Sequence, residues 1–134
     1  RSGVLDVNVP SRSIVLPSQL EMSYTDLDAT TEGGRTEYHY KTRQGRTRIY
    51  GGKVVENVCQ AIARCIIGYQ MLQIAKKYRV VLTVHDSIVC CVPDQLAGEA
   101  QEYIERCMRT TPDWAAGLPI DCESGIGKSY GDCE

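Results

Sequence analysis

The sequence has no surplus of charge of either sign. Fifteen Lys and Arg against seventeen Asp and Glu leave a formal net charge of -2 over 134 residues. Such a balance does not advertise nucleic-acid binding, so any basic surface has to be local. No apolar run is long enough to span a membrane, and the first residues show no charged-then-apolar leader. The expected location is therefore cytoplasmic or nucleoid, or the interior of an infected cell. Paired cysteine spacing is also missing. Cys59, Cys65, Cys90, Cys91, Cys107, Cys122 and Cys133 are odd in number, and no two stand at zinc-finger spacing. They read as a reduced, buried set packing as small hydrophobes. A phosphate-binding loop is absent too. Gly127-Lys128-Ser129 ends like one, but Cys122 stands where its first glycine belongs, and too little chain follows for the helix that would hold the phosphate.

What is present suits one domain with a real core, read as a single structural unit. Residues 1–52 form a strand and loop region in which Val9-Pro10 and Leu16-Pro17 break any helical period. Ser13-Ile14-Val15-Leu16 and Leu20-Glu21-Met22-Ser23-Tyr24 read as short strands, and residues 26–34 as a polar loop. Residues 36–41 alternate at period two, and Arg46-Thr47-Arg48-Ile49-Tyr50 follows the Gln44-Gly45 turn, so this pair reads as a hairpin. Arg35, Lys41, Arg43, Arg46, Arg48 and Lys53 make it the one basic neighbourhood of the chain. Tyrosines interleaved with these cations suit a phosphate-backbone contact; a solvated charged face would look alike.

Residues 53–134 carry the longer elements. Val55, Val58, Cys59, Ile62, Ile66, Tyr69 and Leu72 follow helical spacing, so residues 53–78 read as one long, largely enclosed helix. Glu56, Gln60 and Arg64 stand four apart and share one face, turned either to a polar partner or to water. Pro93-Asp94 offers an N-cap to a second, amphipathic helix ended by Pro112, and Ile120-Asp121-Cys122-Glu123 reads as a last short strand. The predicted fold is α+β: an antiparallel sheet with a central β-hairpin, packed against a long helix and a second amphipathic helix.

Between the helices lies Val80-Val81-Leu82-Thr83-Val84-His85-Asp86-Ser87-Ile88-Val89-Cys90-Cys91-Val92. Two β-branched runs flank a polar triplet, which predicts two buried strands with His85, Asp86 and Ser87 at the tip of their turn. A carboxylate held there by two stiff strands can reach a ligand, though aspartate also caps turns.

Three stretches together resemble the C-terminal part of family A DNA polymerases, the bacterial DNA polymerase I type, and most closely its phage branch. They are residues 48–64, from Arg48-Ile49-Tyr50-Gly51-Gly52 through Gln60 to Arg64; Leu82-Thr83-Val84-His85-Asp86-Ser87-Ile88-Val89; and Trp114-Ala115-Ala116-Gly117-Leu118-Pro119 with Glu123, Gly127-Lys128 and Tyr130 behind it. The likeness runs from Val9 to the end. It implies that the chain is the C-terminal palm segment of a template-directed DNA polymerase, with residues 1–52 leading into the palm and residues 53–134 forming it. Asp86 is then one of two aspartates that bind catalytic Mg2+, and His85 touches the 3′ end of the primer. Gln60 reaches the minor groove at the new base pair. Arg64 and Lys53 stand at motif-like positions on the nucleic-acid side, and Arg43, Arg46 and Arg48 would add phosphate contacts. The implied partners are primer-template DNA, a dNTP, and the rest of the polymerase, its fingers and remaining palm, in the same or a separate chain.

The chemistry suits these residue types. Nucleotidyl transfer uses two metals about 3.5–4 Å apart, and magnesium takes hard oxygen ligands while keeping waters, so few carboxylates suffice. A glutamine amide can donate to the purine N3 and pyrimidine O2 acceptors common to all correct pairs. The chain also departs from the family. Ser87 stands where many members have glutamate, and Cys65 where many phage members have aspartate. The family's first motif, with the other metal-binding aspartate, and its fingers helix have no counterpart here, and Asp26-Leu27-Asp28 lacks the surroundings to replace them. The expectation is a segment that needs the remaining polymerase to act. The rival readings are a non-catalytic DNA-binding or structural remnant of a palm, and a cysteine hydrolase using Cys90 or Cys91. Cysteine in a buried strand is ordinarily inert, and no activating neighbour is evident.

Overall fold

The computed structural model describes residues 5–133; residues 1–4 and 134, the outer ends of the two expected segments, lie outside the described residues. The class is α+β, as the pattern predicts, with antiparallel sheets and two helices. The expected single sheet is divided into three small ones. β1 (Asp6–Asn8), β2 (Ser13–Val15) and β3 (Glu21–Ser23) form the first, and β4 (Asp28–Glu32), β5 (Arg35–Thr42) and β6 (Gly45–Ile49) the second. Helix α1 (Gly51–Ile74) follows, then the hairpin β7 (Val80–Val84) and β8 (Ser87–Cys90), and helix α2 (Ala97–Met108). The chain divides into two compact units, Arg1–Ala63 and Arg64–Glu134, and the boundary falls inside α1.

In the first unit the core is Leu16, Tyr24, Ile49 and Val58, with the Tyr24 ring set edge-on to Tyr40 at 5.2 Å. The polar loop expected over residues 26–34 is largely strand β4. Gly33 and Gly34 both take positive φ, 56° and 78°, in the two-residue turn that joins it to β5. That backbone suits the right-handed twist of a hairpin and is open to glycine without a side-chain clash.

In the second unit Ile74 of α1, Tyr78, and Ala100 and Cys107 of α2 form the core, and Val80, Ile88, Cys90 and Val92 pack against it. Gln70 is fully buried; its Nε2 donates to the carbonyls of Met108 and Thr110, at 2.5 and 3.2 Å, beyond the end of α2. It thereby satisfies carbonyls that a helix end leaves without partners.

Several expectations need correction. Helix α1 ends at Ile74, not at residue 78: the amides of Lys77 and Tyr78 both donate to the Ile74 carbonyl, closing the last turn. It is also less enclosed than its apolar content suggests, since Val55, Cys59 and Leu72 are exposed. Asp94 opens a short 3-10 turn (Asp94–Leu96) rather than capping α2, which ends at Met108, before Pro112. Ile120-Asp121-Cys122-Glu123 forms no strand. Arg109 instead holds this segment through the Asp121 carboxylate at 2.7 Å and the Cys122 carbonyl at 3.2 Å, so side chains do the work of a ladder. None of the seven cysteines is in a disulfide, but only Cys107 is buried, and Cys59 and Cys91 are exposed. The runs around the triplet are not buried strands either: Val81 and Leu82 are 51% and 45% exposed.

Candidate functional site

The hairpin forms where the sequence predicts, with a turn one residue shorter than the expected triplet. Val84 pairs with Ser87, which leaves His85 and Asp86 as a two-residue turn, with Ser87 already the first residue of β8. His85 has φ +52°, in the left-handed region, while Asp86 does not. All three side chains are exposed. Among the described residues no hydrogen bond or ion pair takes up the Asp86 carboxylate, so it does not cap its own turn. β7 carries a register shift between Val80 and Leu82. A bulge of this kind raises local twist and re-aims the strand end.

A free, exposed carboxylate on a stiff turn fits a hard cation such as magnesium as one ligand. It does not make a complete site: among the described residues no group of three His, Cys, Asp or Glu side chains converges to hold a metal. Asp26 and Asp28 are engaged elsewhere, Asp28 with Arg46 at 2.6 Å and Asp26 near Lys41 at 3.9 Å.

In the basic neighbourhood several cations already have acidic partners. The strand register places Arg35, Glu37, His39 and Lys41 of β5, Asp28, Thr30 and Glu32 of β4, and Arg46 and Arg48 of β6 on one face. Two of the three acids on that face are already spent on its cations. Arg46 binds Asp28, and Arg48 binds Glu37 at 2.9 Å. Arg43, in the turn, has no such partner among the described residues. The opposite face carries tyrosine and threonine along with Ala29 and the buried Ile49. Tyr38 and Tyr40 lie between Thr36 and Thr42, and the hydroxyls of Thr31 and Thr36, and of Thr42 and Thr47, meet across the strands at 3.1 and 3.3 Å.

On α1 the polar stripe is organised by a residue whose role the sequence did not reveal. Glu56 accepts from the Lys53 ammonium at 2.8 Å and from Gln60 Nε2 at 3.3 Å. The hydrogen bond to Glu56 holds the Lys53 ammonium above its usual range. The i, i+3 and i, i+4 spacings were the available signal for both contacts. Arg64 is exposed and makes no ion pair among the described residues. The acids opposite Arg46 and Arg48 were also missed. Gly33-Gly34 between two strand-prone runs was their signal, since it implies a hairpin that sets β4 beside β5. Burial pushes the Cys90 thiol up, away from the reactive thiolate.

No protein-family model matches this chain, and no solved structure matches it. It does align with a DNA polymerase of Bacillus phage SP02, 32% identical over 134 residues. The alignment takes in 96% of this chain and 20% of that protein, so the chain spans about a fifth of the relative's length. Over nearly all of its length, then, the chain is similar to a segment of a phage DNA polymerase.

Proposed function

We propose that this chain is the C-terminal palm segment of a family A, phage-like DNA polymerase, and that it supplies one metal-binding carboxylate and primer-template contacts to nucleotidyl transfer. Residues 53–134 are the palm segment and residues 1–52 the strand region that leads into it. The observation that carries this reading is Asp86, a carboxylate exposed on a two-residue strand turn with no hydrogen-bond or ion-pair partner among the described residues, within a segment similar to part of a phage DNA polymerase.

In this reading Asp86 holds Mg2+ as a hard oxygen ligand, and the remaining ligands come from the rest of the polymerase. A magnesium ion held there would supply acidification of the primer hydroxyl and charge compensation for the departing pyrophosphate. His85, beside Asp86 and exposed, meets the primer's 3′ end. Gln60 has two amide hydrogens. One is held by Glu56, which leaves the other for a minor-groove acceptor of the new pair. Lys53 and Arg64 lie on the DNA side of the helix, and Arg43 contributes a phosphate contact. Arg46 and Arg48 contribute only where DNA displaces Asp28 and Glu37. Val81 and Leu82, apolar and exposed on a two-stranded sheet, suit a hairpin that completes its sheet with the remaining chain.

The test is single-turnover extension by the polymerase that carries this segment. Asp86→Asn keeps the shape of the turn and removes the charge, so the rate falls by about a hundredfold or more, the scale for loss of one preorganised charge-stabilising group. An unchanged rate overturns the assignment. The 134-residue chain alone, given magnesium, primer-template and all four dNTPs, does not extend the primer. If the intact parent polymerase does not extend either, the non-catalytic remnant is the correct reading, and Ser87 in place of the usual glutamate is its sequence mark.

A further inference from the structure

We infer that His85 is a positioning residue, and that its left-handed backbone rather than its imidazole sets the direction in which the Asp86 carboxylate leaves the hairpin. This deepens the reading of Asp86 as a metal ligand and rests on it. His85 is the first residue of a two-residue turn between Val84 and Ser87, at φ +52°, and Asp86 is outside the positive-φ region. Positive φ at the first turn residue alone is the pattern of a type II′ turn, whose usual first residue is glycine. A residue with a Cβ is strained there, and such strain persists only where the surrounding structure enforces it. Here the strand pairing on both sides enforces it, and no hydrogen bond from the imidazole rewards it among the described residues. The turn's geometry decides where the next side chain points, and the next side chain is Asp86. The register shift at Val80 and Leu82 adds twist to the same hairpin.

Three variants separate backbone from imidazole. Glycine and asparagine accept the left-handed region, whereas valine, branched at Cβ, does not. In urea unfolding of the 134-residue chain, His85→Gly raises the folding equilibrium constant about threefold to fivefold, relief of strain outweighing the added freedom of the unfolded glycine. In the polymerase that carries the segment, His85→Gly and His85→Asn lower the maximal rate through the lost primer contact. Both keep the magnesium concentration for half-maximal rate within about twofold, while His85→Val raises it about tenfold, the scale of a disturbed outer-shell partner. If glycine and asparagine raise the magnesium requirement as valine does, the imidazole is the agent and the inference fails. It fails as well if His85→Gly leaves the chain no more stable, because the turn is then unstrained. Failure of the metal reading itself shows separately, as an Asp86→Asn polymerase with the parent's rate.

Discussion

The charged face of β4–β6 and the tip of β7–β8 present ionisable groups in opposite ways. In the first unit, cations and anions alternate across neighbouring strands and quench one another: Arg46 with Asp28, Arg48 with Glu37. In the second, a single carboxylate stands at a turn with no counter-charge among the described residues. The sheet has far more charge, but Arg46 and Arg48 are already paired with acids of their own sheet. Exposed pairs of this kind stabilise the fold by about 1 kcal/mol or less, and they lower the free charge available to DNA. The difference teaches that a count of arginines locates a surface, while the partners they already have decide what it can bind.

The largest effect expected from this contrast is on catalysis. Asp86→Asn slows single-turnover extension by about a hundredfold or more, whereas Asp28→Asn, on the quenched face, leaves it within about twofold of the parent. Equal losses at both positions would erase the distinction between the two regions. Next in size is the support beneath the hairpin. Ile74 is fully buried against the elements that hold β7 and β8, and Ile74→Ala costs about 3 kcal/mol in urea unfolding through lost burial and a residual cavity. A cost below about 1 kcal/mol would mean that this core collapses freely around the gap.

A third measurement frees the quenched cations. Asp28→Asn combined with Glu37→Gln releases Arg46 and Arg48, so duplex DNA binding strengthens. The slope of log affinity against log salt then steepens by about 2, close to one counterion for each freed arginine. An unchanged slope in fluorescence-anisotropy titrations would show that neither arginine reaches phosphate. The smallest effect is the acid limb of stability in the second unit. The hydrogen bond from Arg109 holds the Asp121 carboxyl below its usual range, and Ser124, then Arg109, do the same for Glu105. Folded values lower than unfolded ones mean a contribution that is complete above the ordinary carboxylate range near pH 4 and is lost as pH falls through the folded values. The urea midpoint of the chain therefore drops on acidification below that range, and Arg109→Met flattens the drop. A slope untouched by Arg109→Met would place the acid sensitivity elsewhere.

The sequence by itself determined most of the order of elements, a long helix read from Lys53 and found from Gly51, the amphipathic second helix, and a two-strand turn carrying His85 and Asp86. These follow from periodicity and turn chemistry within a few residues of each position, which the chain expresses wherever it goes. The resemblance in residues 48–64 and 82–89 likewise pointed to a polymerase segment before any geometry was known. What only the tertiary structure decided depends on residues far apart in the chain. Asp28 meets Arg46 because β4 and β6 flank β5, and Gln70 reaches the carbonyls of Met108 and Thr110 across about forty residues of sequence. The segment of residues 120–123 has a strand's composition but lies against α2, where Arg109 supplies partners that a neighbouring strand would otherwise provide. Burial of β7 was misjudged for the same reason. An apolar run states that a surface can be covered, and only the neighbours actually packed on Val81 and Leu82 decide whether it is.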